Sequence, residues 1–285
     1  MPILIQDLNF SYQLHTPFER VALRDVNLEI PSGALVAFVG HTGSGKSTLV
    51  QHMNGLLKPT SGKIQVDDII IEPKKKQDLK PLRKRVGLVF QYPEYQLFEE
   101  TVLKDVMFGP RNFGHSEEEA KALAEEALRT VELDERFWSR SPFDLSGGQM
   151  RRVAIAGVLA SRPDVLIVDE PTAGLDPDGR QKMLRLFARL HAESGMTLLL
   201  ITHDMDQVLE YTERVVVMAD GRVAFDGTPL ELFAQETLVE QFRLDLPHVL
   251  SLTWALADRL GRERPLLRTE AEAADWIIAL KEGRP

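Results

Sequence analysis

The sequence predicts an α/β protein whose core is a mostly parallel β-sheet flanked by helices. Short apolar segments such as VLIVD (165–169) and TLLLIT (197–202) are typical of buried strands, and they alternate with segments of helical periodicity. A glycine-rich loop, GHTGSGKST (40–48), joins another apolar strand to a helix. Strand, loop and helix in that order are typical of α/β proteins that bind phosphates.

The first part of the chain predicts antiparallel strands that lead into the central sheet. Apolar and polar residues alternate in ILIQDLNF (3–10) and VALRDVNLEI (21–30), whereas ALVAFVG (34–40) is wholly apolar, as in a buried strand. A helix is then expected over about 45–57, and a strand over 63–71.

The middle of the chain predicts further helices and strands in alternation. Residues 116–132 predict an amphipathic helix, because a serine N-cap and first-turn glutamates precede apolar residues at helical spacing. Other helices are expected after the loop DLSGGQMRR (144–152) and near 177–194. The segment RVVVMADGRVAFDG (214–227) predicts a hairpin with an Asp-Gly turn.

The composition shifts after residue 228, where two more helices are expected, over 247–261 and 269–283. The second begins with Thr269 and Glu272 at the spacing of a capping box. No residue of this tail indicates chemistry, so we interpret it as a helical packing or dimerisation element.

Composition narrows the class of protein. The chain has 43 acidic and 34 basic residues, a net charge of −9, which argues against a nucleic-acid-binding surface. The lysine run at 74–76 is interpreted as a solvated loop rather than a functional patch. The apolar runs are shorter than the roughly 18–20 residues of a membrane span, and the first residues lack signal-peptide features. A cytoplasmic protein is therefore expected, and the absence of cysteine, which excludes disulfides, suits a reducing compartment.

The loop at 40–48 has the residues of a phosphate-binding loop. Its glycines let backbone N–H groups turn toward phosphate oxygens, Lys46 can reach the β and γ phosphates, and the Ser47 hydroxyl can bind Mg²⁺. The expected nucleotide-binding residues are Gly40, His41, Thr42, Gly43, Ser44, Gly45, Lys46, Ser47 and Thr48. No Asn or Thr precedes any lysine, so the guanine-reading Asn/Thr-Lys-x-Asp motif is missing and ATP is the expected nucleotide.

Polar residues follow three of the predicted strands, where parallel sheets place their ligands. Asp169 and Glu170 end one strand. Asp169 is expected to hold Mg²⁺, and Glu170 to orient or deprotonate the attacking water. Gln91 and His203 end two others, and each is expected to contact the γ phosphate or its water. A strand terminus or a surface histidine is the alternative interpretation.

The stretch DLSGGQMRR predicts a second anion site. Ser146 lies at a helix N-cap position, and Gly147 and Gly148 leave backbone N–H groups open at the positive end of the helix dipole. A simple helix cap would not require two helix-weakening glycines. Such a loop is suited to cover an ATP molecule held by residues 40–48 of another chain.

Taken together, GHTGSGKST, Gln91, LSGGQ, VLIVDEP, AGLDP and His203 resemble the ATP-binding cassette (ABC) ATPases over residues 1 to about 228. The resemblance implies a P-loop NTPase fold with an antiparallel β subdomain and a helical subdomain at about 93–163. It implies a head-to-tail dimer in which residues 145–149, including Gln149, cover the partner's ATP. It also implies that Tyr12 stacks on adenine and that Asp176 communicates between the two sites.

A finer resemblance is to the second ATPase subunit of energy-coupling factor transporters, carried by FQYPEYQLFEETVLKDVMFGPRNFG (90–114), LSGGQMRRVAIAGVLA and LDLPHVLSL (244–252). It implies a nucleotide-binding domain at 1–228, an extension at 229–285 and ATP with Mg²⁺ as cofactors, with Gln91 also a metal ligand. The implied partners are a second ATPase subunit, self or sibling, and membrane subunits for coupling and for substrate binding. The protein would then lie on the cytoplasmic face of a prokaryotic membrane and power uptake of a vitamin or transition-metal ion.

Two other classes compete with this interpretation. A soluble cassette ATPase for translation or repair usually carries two cassettes or long coiled coils, which are not present here. A small-molecule kinase would leave LSGGQ and AGLDP unexplained.

The segment after Gln91 predicts a docking surface. Tyr92, Tyr95 and Phe98 stand beside Glu94, Glu99 and Glu100, a mixture suited to short basic helices of a membrane partner. A surface loop with apolar residues packed under the helical subdomain is the alternative.

Overall fold

The computed structural model describes residues 1–74 and 76–281, and within them ten strands form two sheets. The strands are β1 (Ile3–Tyr12), β2 (Arg20–Ile30), β3 (Leu35–Val39), β4 (Ser61–Val66), β5 (Ile69–Ile71), β6 (Val86–Val89), β7 (Val165–Asp169), β8 (Thr197–Ile201), β9 (Arg214–Ala219) and β10 (Arg222–Gly227). The helices are α1 (Lys46–Met53), α2 (Lys80–Arg85), α3 (Val102–Asn112), α4 (Glu117–Thr130), α5 (Gly147–Leu159), α6 (Pro177–Ser194), α7 (Met205–Tyr211), α8 (Pro229–Phe233), α9 (Glu236–Gln241), α10 (His248–Leu260) and α11 (Glu270–Lys281). Short 3-10 turns lie at Pro93–Gln96, Glu135–Phe137 and Pro142–Asp144.

The larger sheet is the predicted central sheet. Its strand order is β10-β9-β3-β8-β7-β6; all neighbours are parallel except β10, which pairs antiparallel with β9. Strands β3 and β8 are buried along their whole length, as their unbroken apolar sequences require when both faces are covered. The carboxyl ends of β3, β6, β7 and β8 therefore meet at one edge.

The smaller sheet is antiparallel, in the order β2-β1-β4-β5. Its apolar face packs with β3 and α1 into one buried cluster, which includes Ile5, Leu23, Phe38 and Leu49. This packing brings the end of β1, with Tyr12, next to α1.

A helical segment, α3 to α5, covers part of the other face of the sheet. Its buried side chains, such as Val106, Leu128 and Ile155, join Val168 and Leu200 of the sheet in a second cluster.

The tail forms a third cluster, against β3, β9 and α7. Phe233, Leu250 and Trp254 of the tail pack there with Val39 and Val208. In the part of the chain that the structure describes, no helix has the length and apolar character needed to cross a bilayer.

Most predicted elements are present. The helix at 116–132 is confirmed as α4, with Ser116 and Glu119 forming a reciprocal capping box. The hairpin is confirmed as β9 and β10, turning at Asp220 and Gly221. The helices near 177–194 and 247–261 are confirmed as α6 and α10.

Two predicted boundaries need correction, and one interpretation falls partly outside the described residues. The first helix spans Lys46–Met53 rather than 45–57, because Gly45 has a left-handed φ of 105° and Gly55, at φ 70°, lies beyond its end. The strand predicted over 63–71 is a hairpin, β4 and β5, that turns at Asp67 with φ 55°. The lysine-run interpretation includes Lys75, which lies outside the described residues.

The helix predicted over 269–283 is observed to Lys281, and its last two residues lie outside the described range. Its capping box is only half formed. The Thr269 hydroxyl accepts the Glu272 N–H at 3.1 Å, but the Glu272 carboxylate accepts the N–H of Arg268 instead of that of Thr269.

Candidate nucleotide-binding site

A cleft of about 980 Å³ opens at the carboxyl edge of the central sheet. The predicted site residues that line it are Tyr12, Thr42, Gly43, Gly45, Lys46, Ser47, Thr48, Gln91, Asp169, Glu170 and His203. A neighbouring cavity of about 380 Å³ is lined by Gly40 and His41 together with Lys46, Glu170 and His203. The structure thus brings residues from four strand ends and from β1 to one place.

The phosphate loop fits against its neighbours so closely that two of its glycines have no room for a side chain. A Cβ on Gly40, at φ 135°, would lie 2.1 Å from the Met218 carbonyl oxygen. A Cβ on Gly45, at φ 105°, would lie 2.8 Å from the Ala22 carbonyl oxygen. Helix α1 begins within this segment, at Lys46 directly after Gly45, so its positive end faces the cleft.

Lys46 is the first residue of α1, and its side chain reaches back to the start of the loop. Its Nζ donates to the carbonyl oxygens of Gly40 at 2.6 Å and His41 at 3.1 Å, and to Ser44 Oγ at 3.4 Å. Burial lowers the pKa of Lys46, whereas the nearby carboxylates of Glu170 and Asp169 act to raise it. One half-buried cation therefore faces two acidic groups across the cleft.

Ser47 and Asp169 form the oxygen pair expected for a magnesium ion. The Ser47 hydroxyl donates to Asp169 Oδ2 at 3.1 Å, and burial raises the pKa of Asp169. Among the described residues, no three His, Asp or Glu side chains cluster as a metal site. The pair fits Mg²⁺, which commonly takes one or two carboxylates and completes its shell with phosphate oxygens and water.

Glu170 is held in an unusual backbone conformation next to His203. Its φ is 49°, in the left-handed region, and its N–H donates to the Ile201 carbonyl oxygen at 2.9 Å. Glu170 Oε1 lies 2.7 Å from His203 Nδ1. Burial raises the pKa of Glu170, an effect that the His203 hydrogen bond opposes. A carboxylate with a raised pKa and a fixed partner is suited to accept a proton from water.

Tyr12 and Gln91 border the cleft on two other sides. The Tyr12 hydroxyl lies 3.1 Å from Thr48 Oγ1, and Phe10 packs edge-to-face against its ring at 4.8 Å. Gln91 is exposed and follows β6, just before Tyr92, where a φ of 54° turns the chain away from the sheet.

The second loop lies elsewhere in the same chain. Ser146 caps α5, and the Ser146 and Gln149 side chains form a reciprocal capping box. Gly147 and Gly148 are exposed, and a Cβ added to either would meet nothing within 4 Å. Residues 146–149 do not line either cavity.

Asp176 is also outside the cleft. It is exposed and caps α6, where its Oδ1 accepts the N–H of Gly179 at 2.7 Å. Within one chain the structure assembles the phosphate loop, the strand-end residues and Tyr12, but not the second loop or Asp176.

Sequence reasoning missed a basic side of the cleft, made by Arg20, Arg24 and Arg222. These residues belong to β2 and β10, which meet near the phosphate loop because Gly221 N–H donates to the Ser44 carbonyl at 3.1 Å. Each arginine stands in an ordinary alternating strand, so no local pattern singles it out.

The segment after Gln91 is only partly exposed, which corrects one prediction. Tyr95 and Phe98 are exposed by 84% and 57%. Glu94, however, is not a free acid at the rim, because its two oxygens accept from Nε and Nη2 of the buried Arg151 at 3.1 and 2.9 Å. Glu100 is exposed and pairs with Lys104 at 2.6 Å.

Comparisons with known proteins agree with this geometry. The ABC transporter family model matches residues 23–173, and an AAA domain model matches residues 139–210. The chain is 51% identical to the energy-coupling factor transporter ATP-binding protein EcfA2 of Ligilactobacillus salivarius, with 99% of both chains covered. It is 54% identical to EcfA2 of Enterococcus faecalis, covering 98% of this chain and 96% of that one.

Solved structures give the same result. The cbiO1 protein of Clostridium perfringens, part of the ABC transporter complex cbiONQ, aligns with a TM-score of 0.71 at 40% identity over 87% of this chain and 96% of its own. The dimeric, post-hydrolysis ATP-binding cassette MJ0796, bound to ADP and phosphate, aligns with a TM-score of 0.71 at 33% identity over 80% of this chain and 98% of its own. Fold, cleft and near-full-length identity lead to one assignment: the chain belongs to the ABC transporter family, among the ATP-binding proteins of energy-coupling factor transporters.

Proposed function

We propose that the chain hydrolyses ATP as a peripheral subunit of an energy-coupling factor transporter, at the cytoplasmic face of a prokaryotic membrane. The observation that carries this proposal is the convergence of Lys46, the Ser47–Asp169 pair and the Glu170–His203 pair in one cleft. It is supported by 51–54% identity to curated EcfA2 proteins over nearly the whole chain.

Each side chain has a separate task in hydrolysis. Lys46 binds the β and γ phosphates, and the loop glycines and Thr48 surround them. Mg²⁺, held by Ser47, Asp169 and Gln91, would neutralise phosphate charge when bound. Glu170 orients the attacking water and accepts its proton, and His203 holds the γ-phosphate side of the site. Tyr12 provides a ring on which adenine stacks.

The site is completed by a second subunit. Ser146, Gly147, Gly148 and Gln149 present a capped, open helix N-terminus that does not line the cleft of its own chain. We infer that this loop covers the ATP of a head-to-tail partner, with the exposed Asp176 at the same interface. The dimeric form of the MJ0796 cassette supports this arrangement.

Membrane subunits supply the transport path. The exposed aromatic rings of Tyr95 and Phe98, with Glu99 and Glu100 beside them, offer anchors and charge to short basic helices of a coupling subunit. The cbiO1 relative is part of a multi-subunit transporter complex, which supports such an assembly. Following the family, the cargo is a vitamin or a transition-metal ion, bound by a separate membrane subunit.

The experiment is affinity purification of the tagged chain from its native membrane, followed by an ATPase assay. A second cassette ATPase and a polytopic membrane protein should co-purify, and Lys46→Ala should abolish hydrolysis at this subunit's own ATP site. Recovery of the chain without any membrane protein, but with active hydrolysis, would instead indicate a non-transport cassette ATPase.

A further inference from the structure

Helix α7 (Met205–Tyr211) begins two residues after His203 and packs against the C-terminal tail. Its apolar side chains Val208 and Leu209 are buried in the same cluster as Phe233, Leu250 and Trp254 of the tail. The position of His203 relative to the cleft therefore depends on a helix that the tail packs against.

The tail binds the first turn of α7 through polar contacts as well. The backbone N–H of His248, the first residue of α10, donates to Asp206 Oδ1 at 2.7 Å, and the His248 ring Nδ1 bonds Asp206 Oδ2. One carboxylate of α7 is thus held twice by the start of α10.

A second polar contact holds the other end of α7. Arg268, which lies between α10 and α11, donates from Nε to the Leu209 carbonyl at 3.1 Å and from Nη2 to the Thr212 carbonyl at 2.6 Å. Carbonyl groups at a helix C-terminus lack intrahelical partners, so a guanidinium that binds two of them fixes where the helix ends.

The opposite side of α7 contacts the catalytic segments. Gln207, only 4% exposed, donates from Nε2 to Thr172 Oγ1 at 3.0 Å and to Asp204 Oδ2 at 2.9 Å. Thr172 follows Glu170 by two residues, and Asp204 follows His203 directly. A shift of α7 would therefore displace the two segments that carry Glu170 and His203.

We propose that the C-terminal tail positions His203 for hydrolysis by holding α7 at both ends, with Arg268 and His248 as positioning residues. This inference rests on the proposed function and adds to it a role for the tail separate from dimerisation. The loop of the tail at 243–245 lines the smaller cavity together with His203 and Glu170. The tail therefore lies directly beside the reacting groups.

The test compares Arg268→Ala with Arg264→Ala in the purified transporter complex. Arg264 is a matched control, since it pairs with Asp258 and Glu236, both within the tail. We expect Arg268→Ala to lower kcat by about 3- to 30-fold, because small displacements of reacting groups have large effects on rate. The KM for ATP should stay within about twofold, and Arg264→Ala should match the wild type within about twofold in both constants.

Three outcomes would overturn the proposal. These are equal kcat values in the two variants, a rise in KM that accounts for the whole loss, and recovery of activity at high protein concentration, which would indicate dimerisation alone. His248→Ala, which changes an exposed side chain, gives the same kcat-specific test if Arg268→Ala does not fold. Glu170→Gln in the same preparation separately tests the role proposed for Glu170, because near-wild-type hydrolysis at this subunit's own site would reject that role whatever the tail variants do.

Discussion

Glu170 combines three features that a strand end alone would not provide. Its backbone is in the left-handed region, its carboxylate is largely buried, and His203 Nδ1 lies 2.7 Å away. A left-handed conformation is costly for a glutamate and persists only where neighbouring structure imposes it. Here the bond from Glu170 N–H to the Ile201 carbonyl and the His203 contact fix the side chain toward the cleft.

Replacing this carboxylate tests its role as the base. In Glu170→Gln the amide keeps the shape of the side chain but cannot accept a proton, so hydrolysis should slow by about 10²- to 10⁴-fold. Nucleotide binding should remain, because Lys46 and the phosphate loop are unchanged. Single-turnover hydrolysis and a separate ATP-binding titration measure the two effects, and near-wild-type turnover in an assembled complex would remove Glu170 from this role.

Residues at strand ends were the predictable part of the site. Gln91, Asp169 and His203 lie in the cleft because parallel strands end at one edge, which the apolar runs in the sequence already indicate. Arg20 and Arg222 were not predictable. They reach the cleft only because β2 and β10 pack together, a tertiary contact with no local sequence pattern.

The 3-10 turn at Pro93–Gln96 is joined to α5 by a buried ion pair. Arg151 is 3% exposed; besides binding Glu94 it donates from Nη1 to the carbonyls of Pro171 at 3.2 Å and Ala173 at 2.7 Å. Although burial alone would raise the pKa of Glu94, the Arg151 hydrogen bonds hold it below its usual range. One side chain thus connects the turn after Gln91, the helix that begins at the second loop and the segment after Glu170.

Sequence reasoning placed Glu94 on a docking rim because it stands among exposed aromatic residues. Its partner lies 57 positions away, so only the folded chain reveals the pairing. Glu94 is therefore an internal link between elements, and the docking proposal depends on Tyr95, Phe98 and the acids that follow.

Two charge reversals test whether Glu94 and Glu99 have different roles, the first as an internal link and the second as part of the docking surface. Glu94→Lys places a second cation against buried Arg151 and should lower the free energy of unfolding by about 3–5 kcal/mol. Glu99→Lys, in the same segment, should change it by no more than about 0.5 kcal/mol but weaken co-purification with the membrane subunit. Denaturant unfolding measures the free energy of unfolding of each variant, and a pull-down measures its co-purification with the membrane subunit. Unchanged assembly and transport in Glu99→Lys would place the docking surface elsewhere.

At the scale of the whole molecule, the cleft and the second loop are the two parts that the proposed head-to-tail dimer would combine into one ATP site. The cleft is lined by residues from both sheets, whereas residues 146–149 lie outside it on an exposed helix start. The fold class and the order of these parts followed from the sequence, since each motif marks its own junction of strand, loop and helix. How two chains combine was expected only from the family resemblance, because no local sequence pattern marks a contact between two copies.

Complementation between subunits tests that combination. A Lys46→Ala subunit loses its own phosphate-binding cation but still presents residues 146–149, so it should support hydrolysis at the site of a wild-type partner if the sites act independently. A Ser146→Arg subunit should do the reverse, because the longer side chain blocks the open helix start and leaves its own cleft intact.

In a heterodimer of defined composition, Lys46→Ala should inactivate the site in its own subunit, and Ser146→Arg should inactivate the site in the neighbouring subunit. Site-resolved crosslinking of a photoreactive ATP analogue reports which subunit retains nucleotide. If both substitutions silenced the same site, the loops would act within one chain and the head-to-tail arrangement would be wrong.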